Sequence, residues 1–189
     1  MEISDPHALR ALAHPLRLDL IELLGTAGPL TAAESARRLD STQASCSYHL
    51  RMLAKYGYVE EAGERGDGRE HPWQLTDVRQ SWSGDGPAAR QLERVFVQRE
   101  ADRILAWQSA SAHQPKAWRD ASFITGASLP LTAGELENVR ERLAAILEPY
   151  IPRLTDHSIV PEGSRVVRVL LAGTPAAAEN TVVENGDDA

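Results

Sequence analysis

The segment from Thr31 to Trp73 constrains the fold most, because it predicts two short helices, a tight turn between them and a glycine-rich hairpin after them. Thr31 and Glu34 have the spacing of a capping box, in which the two side chains bond reciprocally to backbone amides at a helix start. Asp40-Ser41-Thr42 supplies side chains that bond their own backbone in turns, so a second helix is predicted from about Gln43 to Tyr56. A connection this short favours an angled helix pair.

The second helix of this pair is predicted to be amphipathic. Cys46, Leu50 and Leu53 recur at helical spacing and are predicted to face the core. The opposite face carries small polar groups, one phenol and two cations, a surface that fits the major groove of DNA. Its residues are Ala44, Ser45, Tyr48, Arg51, Met52 and Lys55, with Gln43, Ser47 and His49 on its borders. The alternative for this helix alone is an ordinary amphipathic helix with a solvated face.

The sequence GERGDG lies between two segments, Tyr58–Ala62 and Glu70–Leu75, that are typical of β-strands. Arg65 and Arg69 lie at or beside the tip of this predicted hairpin. A cationic tip beside a recognition helix is suited to contact phosphates or the minor groove. A solvated loop is the alternative, because neighbouring acidic residues dilute the positive charge. Together with the helix pair, the hairpin favours a winged helix-turn-helix.

Three segments, AHPLRLDLIELL, LTAAESARRL and SCSYHLRMLAKYGYVEE, resemble those of ArsR-type winged-helix transcriptional regulators, and the resemblance covers about residues 5–78. The pattern includes Ser47, His49-Leu50, Leu53, Gly57 and Val59. The resemblance implies that the protein binds double-stranded DNA as a homodimer and that Arg65 and Arg69 belong to the wing. It also implies which residues of the second helix approach DNA: Gln43, Ser45, Ser47, Tyr48 and His49.

The metal-sensing branch of that family has a cysteine-rich motif at the first helix of the pair, where this chain has LTAAESARRL without cysteine. The single cysteine, Cys46, is predicted to behave as a small buried hydrophobe. No histidines or carboxylates are spaced as two zinc ligands on one helical turn. We therefore expect no metal and no cofactor.

Composition bounds the remaining possibilities. A chain of 189 residues with 42% hydrophobic content has enough apolar side chains for a packed core. With one cysteine, no apolar run long enough to span a membrane and no signal-peptide pattern, we expect a cytoplasmic protein. The formal charge of −7 is unusual for a DNA-binding protein, but the segment Thr31–Lys55 has four cations against two acidic residues.

Upstream of the helix pair, Asp5 to Leu24 predicts one helix or a pair broken near His14-Pro15. Glycine, proline and serine between Ser81 and Pro87 predict a boundary after the DNA-binding domain. The predicted domains are 1–80, a winged helix-turn-helix, and 87–173, a dimerisation and effector region, followed by a disordered tail at 174–189.

Pro87 to about Ser111 predicts one long helix that is apolar on two sides. Leu92, Val95, Phe96 and Trp107 fall on one side. The other side consists of Val97, Ala101, Ile104 and Leu105, which we expect to contact a second copy of the chain, because a 20-kDa chain has little mass to cover both sides. The alternative is a helix buried entirely within its own domain.

The C-terminal half predicts a small α+β unit, so the fold class is α+β. Trp118–Leu131 is predicted as extended, and Thr132 with Glu135 opens an amphipathic helix with an inward apolar side of Leu136, Val139, Leu143, Ile146, Leu147 and Tyr150. Arg165–Leu171 is predicted as a strand that pairs with the Trp118 segment. Four aromatic residues are candidates for the lining of an effector pocket, although core and dimer packing is favoured for them: Trp107, Trp118, Phe123 and Tyr150.

An enzymatic function is disfavoured, because the sequence has no nucleophile elbow, phosphate loop or dinucleotide fingerprint. Asp156-His157-Ser158 is a polar loop in this interpretation, since catalytic triads are assembled from distant segments. The sequence predicts a homodimeric transcriptional regulator that represses by occupying a pseudo-palindromic operator, the direction of regulation resting on the resemblance alone. The alternatives are a winged helix used for protein contacts and, less favoured, a small enzyme.

Overall fold

The fold is an α+β winged helix-turn-helix with further helices after it, as the sequence predicts. The computed structural model describes residues 2–63 and 71–176. The first elements are β1 (Glu2–Ile3), α1 (Pro6–Leu12), α2 (Pro15–Ala27), α3 (Ala32–Arg38), α4 (Gln43–Lys55), β2 (Val59–Glu61), β3 (Trp73–Leu75) and β4 (Ser81–Trp82). They are followed by α5 (Pro87–Ala110), α6 (Lys116–Ala121) and α7 (Ala133–Leu147), with 3₁₀ turns at Ser111–His113, Glu148–Leu154 and His157–Ile159. Within the described ranges, no helix is long and apolar enough to cross a membrane.

The predicted break at His14-Pro15 is confirmed, and His14 itself starts the second helix. Its Nδ1 accepts a hydrogen bond from the amide of Leu16 at 3.2 Å, and Pro15 occupies the first helical position, where no amide is needed. Asp5 caps α1 in the same way, by accepting from the amide of Ala8 at 2.9 Å. The chain therefore forms two short helices at an angle instead of one long one.

Local hydrogen bonds define both helices of the helix-turn-helix. The predicted capping box is present: the Thr31 amide donates to Glu34 Oε2 at 2.7 Å, and the Glu34 amide donates to Thr31 Oγ1 at 3.2 Å. Thr42 caps α4 by accepting from the amide of Ser45 at 3.1 Å. Between the helices, Asp40 has a φ of 48°, a left-handed conformation that aspartate tolerates better than most side chains.

One hydrophobic core joins the helix-turn-helix to the hairpin and to the start of α5. Leu20, Leu50 and Leu53 are fully buried in it, as are apolar residues of the first two turns of α5, Ala89 and Leu92. The predicted buried stripe of α4 is thereby confirmed. The long helix therefore shares its core with the helix-turn-helix and the hairpin.

Two contacts attach the segment Tyr58–Trp82, which includes the hairpin, to the N-terminal part of the chain. The Tyr58 hydroxyl donates to the carbonyl of Ala8 at 2.8 Å, and burial raises the pKa of this phenol far above its usual range. β4 pairs in parallel with β1, through Glu2 with Ser81 and Ile3 with Trp82. The segment Ser81–Pro87, predicted as a boundary between domains, therefore contains a strand.

The chain divides into two compact units: Met1–Thr125 with Tyr150–Val166, and Gly126–Pro149 with Val167–Ala189. The first unit contains the helix-turn-helix, the hairpin and α5. The second unit contains α7. The domain limits predicted from the sequence, 1–80 and 87–173, stay predictions.

Three predictions for the C-terminal half are wrong. Trp118–Leu131 is not extended throughout, since Lys116–Ala121 forms α6. Arg165–Leu171 is not a strand and has no regular secondary structure. The capping box of Thr132 and Glu135 does open α7, but the apolar side of that helix is mostly exposed instead of inward. The strand prediction failed because β-branched residues favour a strand only where a neighbouring strand is available to pair with them.

A charge network between α2 and α5 was not predicted. The Arg99 side chain, 9% exposed, donates from Nε to Asp19, from Nη2 to Glu22 and from Nη1 to Glu100, at 2.8, 2.8 and 3.0 Å. Arg103 donates to the same Glu22 carboxylate at 2.5 Å. Burial opposes the charge on Glu22, but hydrogen bonds from the two arginines outweigh it and lower the pKa of this carboxyl. The network attaches α5 to α2.

Replacing Arg99 with Ala is expected to lower the free energy of unfolding by about 1–3 kcal/mol, because the buried Glu100 and the half-buried Asp19 and Glu22 lose one cation and retain Arg103. Chemical denaturation followed by circular dichroism measures the change. The matched control is Arg10→Ala, which removes an exposed arginine of α1 and should change stability by less than about 0.5 kcal/mol. Equal stability of the two variants would show that the network contributes nothing.

Candidate nucleic-acid interface

Four of the six side chains that the sequence assigned to the outer face of α4 are exposed, and Met52 is half-buried. Tyr48, Arg51 and Lys55 are exposed, and the Lys55 ammonium lies 5.5 Å from the centre of the Tyr56 ring. Gln43 and Ala44 are also exposed, whereas Ser45, Ser47 and His49 are half-buried. Because Cys46, Leu50 and Leu53 hold the other face in the core, the exposed face has a fixed direction.

A concavity of about 410 Å³ lies beside this face and joins it to the hairpin. Three groups of residues line it: Thr31, Ala32 and Ala33 at the start of α3; Gln43, Ser47 and Arg51 of α4; and Glu61, His71 and Trp73 of the hairpin. His71 Nδ1 lies 3.7 Å from Glu61 Oε2 across the two strands. The hairpin is therefore adjacent to the exposed face of α4. The predicted wing cations, Arg65 and Arg69, lie outside the described residues.

A pair of histidines connects α4 to α2. The rings of His14 and His49 are 4.4 Å apart between centroids, with Tyr48 packed edge-on against His49. Burial lowers the pKa of the His49 imidazole, and His14 and Arg17 lower it further; burial and Arg17 also lower the pKa of His14. Sequence reasoning placed His49 on the border of the helix but missed its contact with His14. Only the segment HPLR drew attention to His14.

The histidine pair makes stability depend on pH. Both imidazoles have a pKa below the ordinary value near 6.5, so the folded protein binds fewer protons than the unfolded chain, and stability falls as the pH falls through that value. Between about pH 7.5 and 5.5 the melting temperature should decrease. His49→Gln should reduce this decrease, whereas His113→Gln, an exposed histidine elsewhere in the chain, should leave it unchanged. An unchanged pH dependence in His49→Gln would contradict the assignment.

The four residues predicted at the dimer interface lie on one side of α5. Val97 and Leu105 are 58% and 60% exposed, and Ala101 and Ile104 are half-buried. On the other side, Leu92 is buried in the core and Val95, Phe96 and Trp107 are half-buried. The helix therefore presents an apolar strip that the described part of the chain does not cover.

The four aromatic residues predicted as an effector pocket are absent from the lining of two concavities of the described residues. Trp107 and Trp118 are half-buried, whereas Phe123 and Tyr150 are exposed. The concavity beside α4 includes none of them. A larger concavity of about 610 Å³ also includes none of the four aromatic residues. It is lined by Pro15, Arg94, Val95, Gln98, Arg99, Asp102, Arg103 and Ala106. The guanidinium of Arg165 lies 5.1 Å from the centre of the Trp118 ring, so this indole makes a cation–π contact.

The triplet Asp156-His157-Ser158 forms a cap instead of the predicted loop. Asp156 Oδ1 accepts from the amide and the hydroxyl of Ser158, at 2.9 and 2.5 Å, and starts the 3₁₀ turn His157–Ile159. These hydrogen bonds lower the pKa of Asp156. The carboxylate therefore binds the serine directly, without the histidine between them that a triad requires.

Residues 12–62 match the helix-turn-helix domain family. They form a helix-turn-helix domain. The matched range begins at the last residue of α1 and ends just after β2, so it contains the whole of α3, the turn and α4. No curated protein sequence matches the chain significantly.

Three solved structures are similar in part. Reduced HlyU from Vibrio cholerae is 22% identical, covers 49% of this chain and 84% of its own, and has a TM-score of 0.32. A single-site mutant of ZitR from Lactococcus lactis is 16% identical, with coverages of 71% and 73% and a TM-score of 0.35. The adhesin competence repressor AdcR from Streptococcus pyogenes is 15% identical, with coverages of 73% and 80% and a TM-score of 0.34. At these TM-scores we draw no conclusion from the three about this helix-turn-helix domain.

Proposed function

We propose that the chain, a DNA-binding transcriptional regulator with a helix-turn-helix domain, acts as a homodimeric repressor of the ArsR type on a pseudo-palindromic operator. The observation that supports the proposal is the exposed face of α4. There the side chains of Tyr48, Arg51 and Lys55 lie beside the concavity that α4 shares with the hairpin. Cations at such a face bind phosphates and guanine edges, and small residues near the helix start allow the helix to enter the major groove.

In this proposal, each part of the interface has its own task. Tyr48 and Arg51 read base edges, with Gln43, Ser45 and Ser47 near the start of the helix and His49 on its flank. Lys55 binds the phosphate backbone. The wing contacts backbone through Arg65 and Arg69, which adds affinity without sequence preference.

Replacing Tyr48 or Arg51 with Ala is expected to weaken operator binding by about 1–3 kcal/mol, because each residue is exposed on the recognition face and touches base edges in this proposal. Gel-shift titration measures the affinity, with a duplex selected by the purified protein from random DNA as the probe. The folded state should be unaffected, which thermal melting checks.

The control for Arg51→Ala is Lys116→Ala, which removes the same charge from an exposed ion pair with Asp120 on α6. It should leave the affinity nearly unchanged. Equal affinity of the wild-type and both recognition-face variants would contradict the assignment of α4. Absence of salt-dependent DNA binding in the wild-type protein would instead favour the alternative of a protein-contact module, which the acidic net charge of the chain suits.

The apolar strip on α5 supports the homodimer. Val97 and Leu105 are more than half exposed, whereas Leu92 and Val95, on the other side of the same helix, pack into the core or against it. Contiguous exposed apolar residues mark interaction sites in proteins, and a symmetric partner covers the same strip on both chains at once. A dimer also presents two recognition helices, as a pseudo-palindromic operator requires.

Leu105→Glu is expected to produce folded monomers, because the side chain is exposed in one chain but a charge at this position is buried without a partner in the dimer. Sedimentation equilibrium measures the mass. The monomer reaches only one half-site, so operator affinity should fall although α4 is unaltered. Ala106→Glu introduces the same charge at the next, exposed position outside the strip and should remain dimeric. A folded, dimeric Leu105→Glu protein would reject this interface.

A further inference from the structure

A second apolar strip, on α7, follows a seven-residue repeat. Leu136, Val139, Leu143 and Ile146 are spaced by three, four and three residues, which is the alternation of the a and d positions in a coiled coil. Leu147 follows at position e, beside the line of a and d residues. A strip of this period fits one other helix. The repeat from Leu136 to Ile146 spans about one and a half heptads and lies entirely within α7.

This strip, which we call the α7 seam, is exposed in a single chain at three of its four residues, and Leu136 is half-buried. Val139, Leu143 and Ile146 are 38%, 39% and 64% exposed. The helix has its own capping box, with the Thr132 amide donating to Glu135 Oε2 at 2.8 Å. A helix of this length is marginal in water without packing, so a strip of large aliphatic side chains at this exposure indicates that a partner helix covers it.

The charges beside the α7 seam identify the partner as a second copy and select its direction. With Leu136 at position a, Glu135 is at g, Arg140 at e and Arg142 at g. In a parallel pair, each g residue faces the e residue five positions later on the other helix, so Glu135 of each chain meets Arg140 of the other. In an antiparallel pair with the same overlap, each e residue faces the e residue of the other helix, and each g residue faces the other g residue. The arginines at positions 140 and 142 of the two chains would then lie close together near the middle of the pair.

We propose that the α7 seam forms a short parallel, in-register coiled coil with the α7 seam of a second copy of this chain. Two Glu135–Arg140 pairs flank the a and d layers and set the direction. Arg140 lies 3.1 Å from Glu137 at the outer position b of its own helix, and the two side chains are 73% and 63% exposed, so its guanidinium is free to exchange this solvated partner for Glu135 of the other chain. The contact adds to the proposed homodimer but does not depend on the strip of α5.

Cysteine cross-linking of the full-length chain tests the contact and its direction. In a parallel in-register coiled coil, each d residue faces its own copy within the Cα distance of a disulfide, about 4.4–6.8 Å. Ile146→Cys and Val139→Cys should therefore form covalent dimers under mild oxidation. Ala145→Cys, exposed on the outer side of the same helix, is the matched control and should remain monomeric on a non-reducing gel. The native Cys46 is fully buried, so it does not compete.

The role of the Glu135–Arg140 pair is tested in the Ile146→Cys protein. Glu135→Gln retains an oxygen for the capping box but loses the charge, and should slow cross-linking of Ile146→Cys by about two- to tenfold, whereas Glu141→Gln on the outer face should not. Circular dichroism confirms that each variant is folded. If Ile146→Cys proves unstable, Val139→Cys is the variant measured.

Three results would overturn the proposal. The first is no faster cross-linking at positions 139 and 146 than at 145. The second is cross-linking only in a mixture of Val139→Cys and Leu143→Cys proteins, which indicates an antiparallel pair. The third is an unchanged cross-linking rate in Glu135→Gln, which would mean that the Glu135–Arg140 pairs do not set the direction. The α5 interface is measured separately. The short α7 contact alone is too weak to hold a dimer in sedimentation, so Leu105→Glu should sediment as a monomer, while oxidation of Ile146→Cys in that protein should still trap the α7 cross-link at a slower rate.

Discussion

The buried Arg99 side chain makes the contact that positions the long helix α5 against α2. It holds carboxylates of α2 and of its own helix, and it fixes α5 to α2 through hydrogen bonds of 2.8 Å to both Asp19 and Glu22. α2 in turn contacts α4 through the stacked rings of His14 and His49. Hydrogen-bonded charges have directional geometry, so they set the rotation and register of α5 more narrowly than apolar packing alone does. In the proposed dimer, this geometry sets the distance and angle between the two recognition helices.

The parts of the fold that were predictable are those decided by neighbouring residues. The caps at Thr31 and Thr132, the break at His14-Pro15 and the buried stripe of α4 each depend on a few adjacent positions, and the structure confirms them. Two other predictions depended on a partner segment elsewhere in the chain, and both were wrong. They were the strand at Arg165–Leu171 and the inward apolar side of α7. The network around Arg99 was missed because its members are about 80 positions apart in sequence, and no local pattern connects them.

For the candidate interface, the sequence identified the side chains of α4 but not their surroundings. The periodicity of Leu50 and Leu53 determined which face of the helix points outward, because the buried side of a helix fixes the exposed side. It did not show that Thr31 and Trp73 share a concavity with Arg51, since that depends on the angle between the helix and the hairpin. The contact of His49 with His14 was beyond sequence reasoning for the same reason.

The acidic net charge of the chain is compatible with DNA binding because much of the acid near the DNA-binding domain is already paired. Asp19, Glu22 and Glu100 face Arg99 and Arg103 between α2 and α5, and Glu34 is engaged in the cap of α3. Those carboxylates contribute little field at the outer face of α4, whereas Arg51 and Lys55 are exposed there. Phosphate affinity depends on cations within about a Debye length of roughly 10 Å, so the local excess of positive charge matters more than the sum over the chain. In the proposed homodimer, few cations per recognition helix mean that each half-site binds weakly and that tight binding requires both copies to bind together, so the apolar strips proposed to hold the two copies would be part of the DNA-binding mechanism.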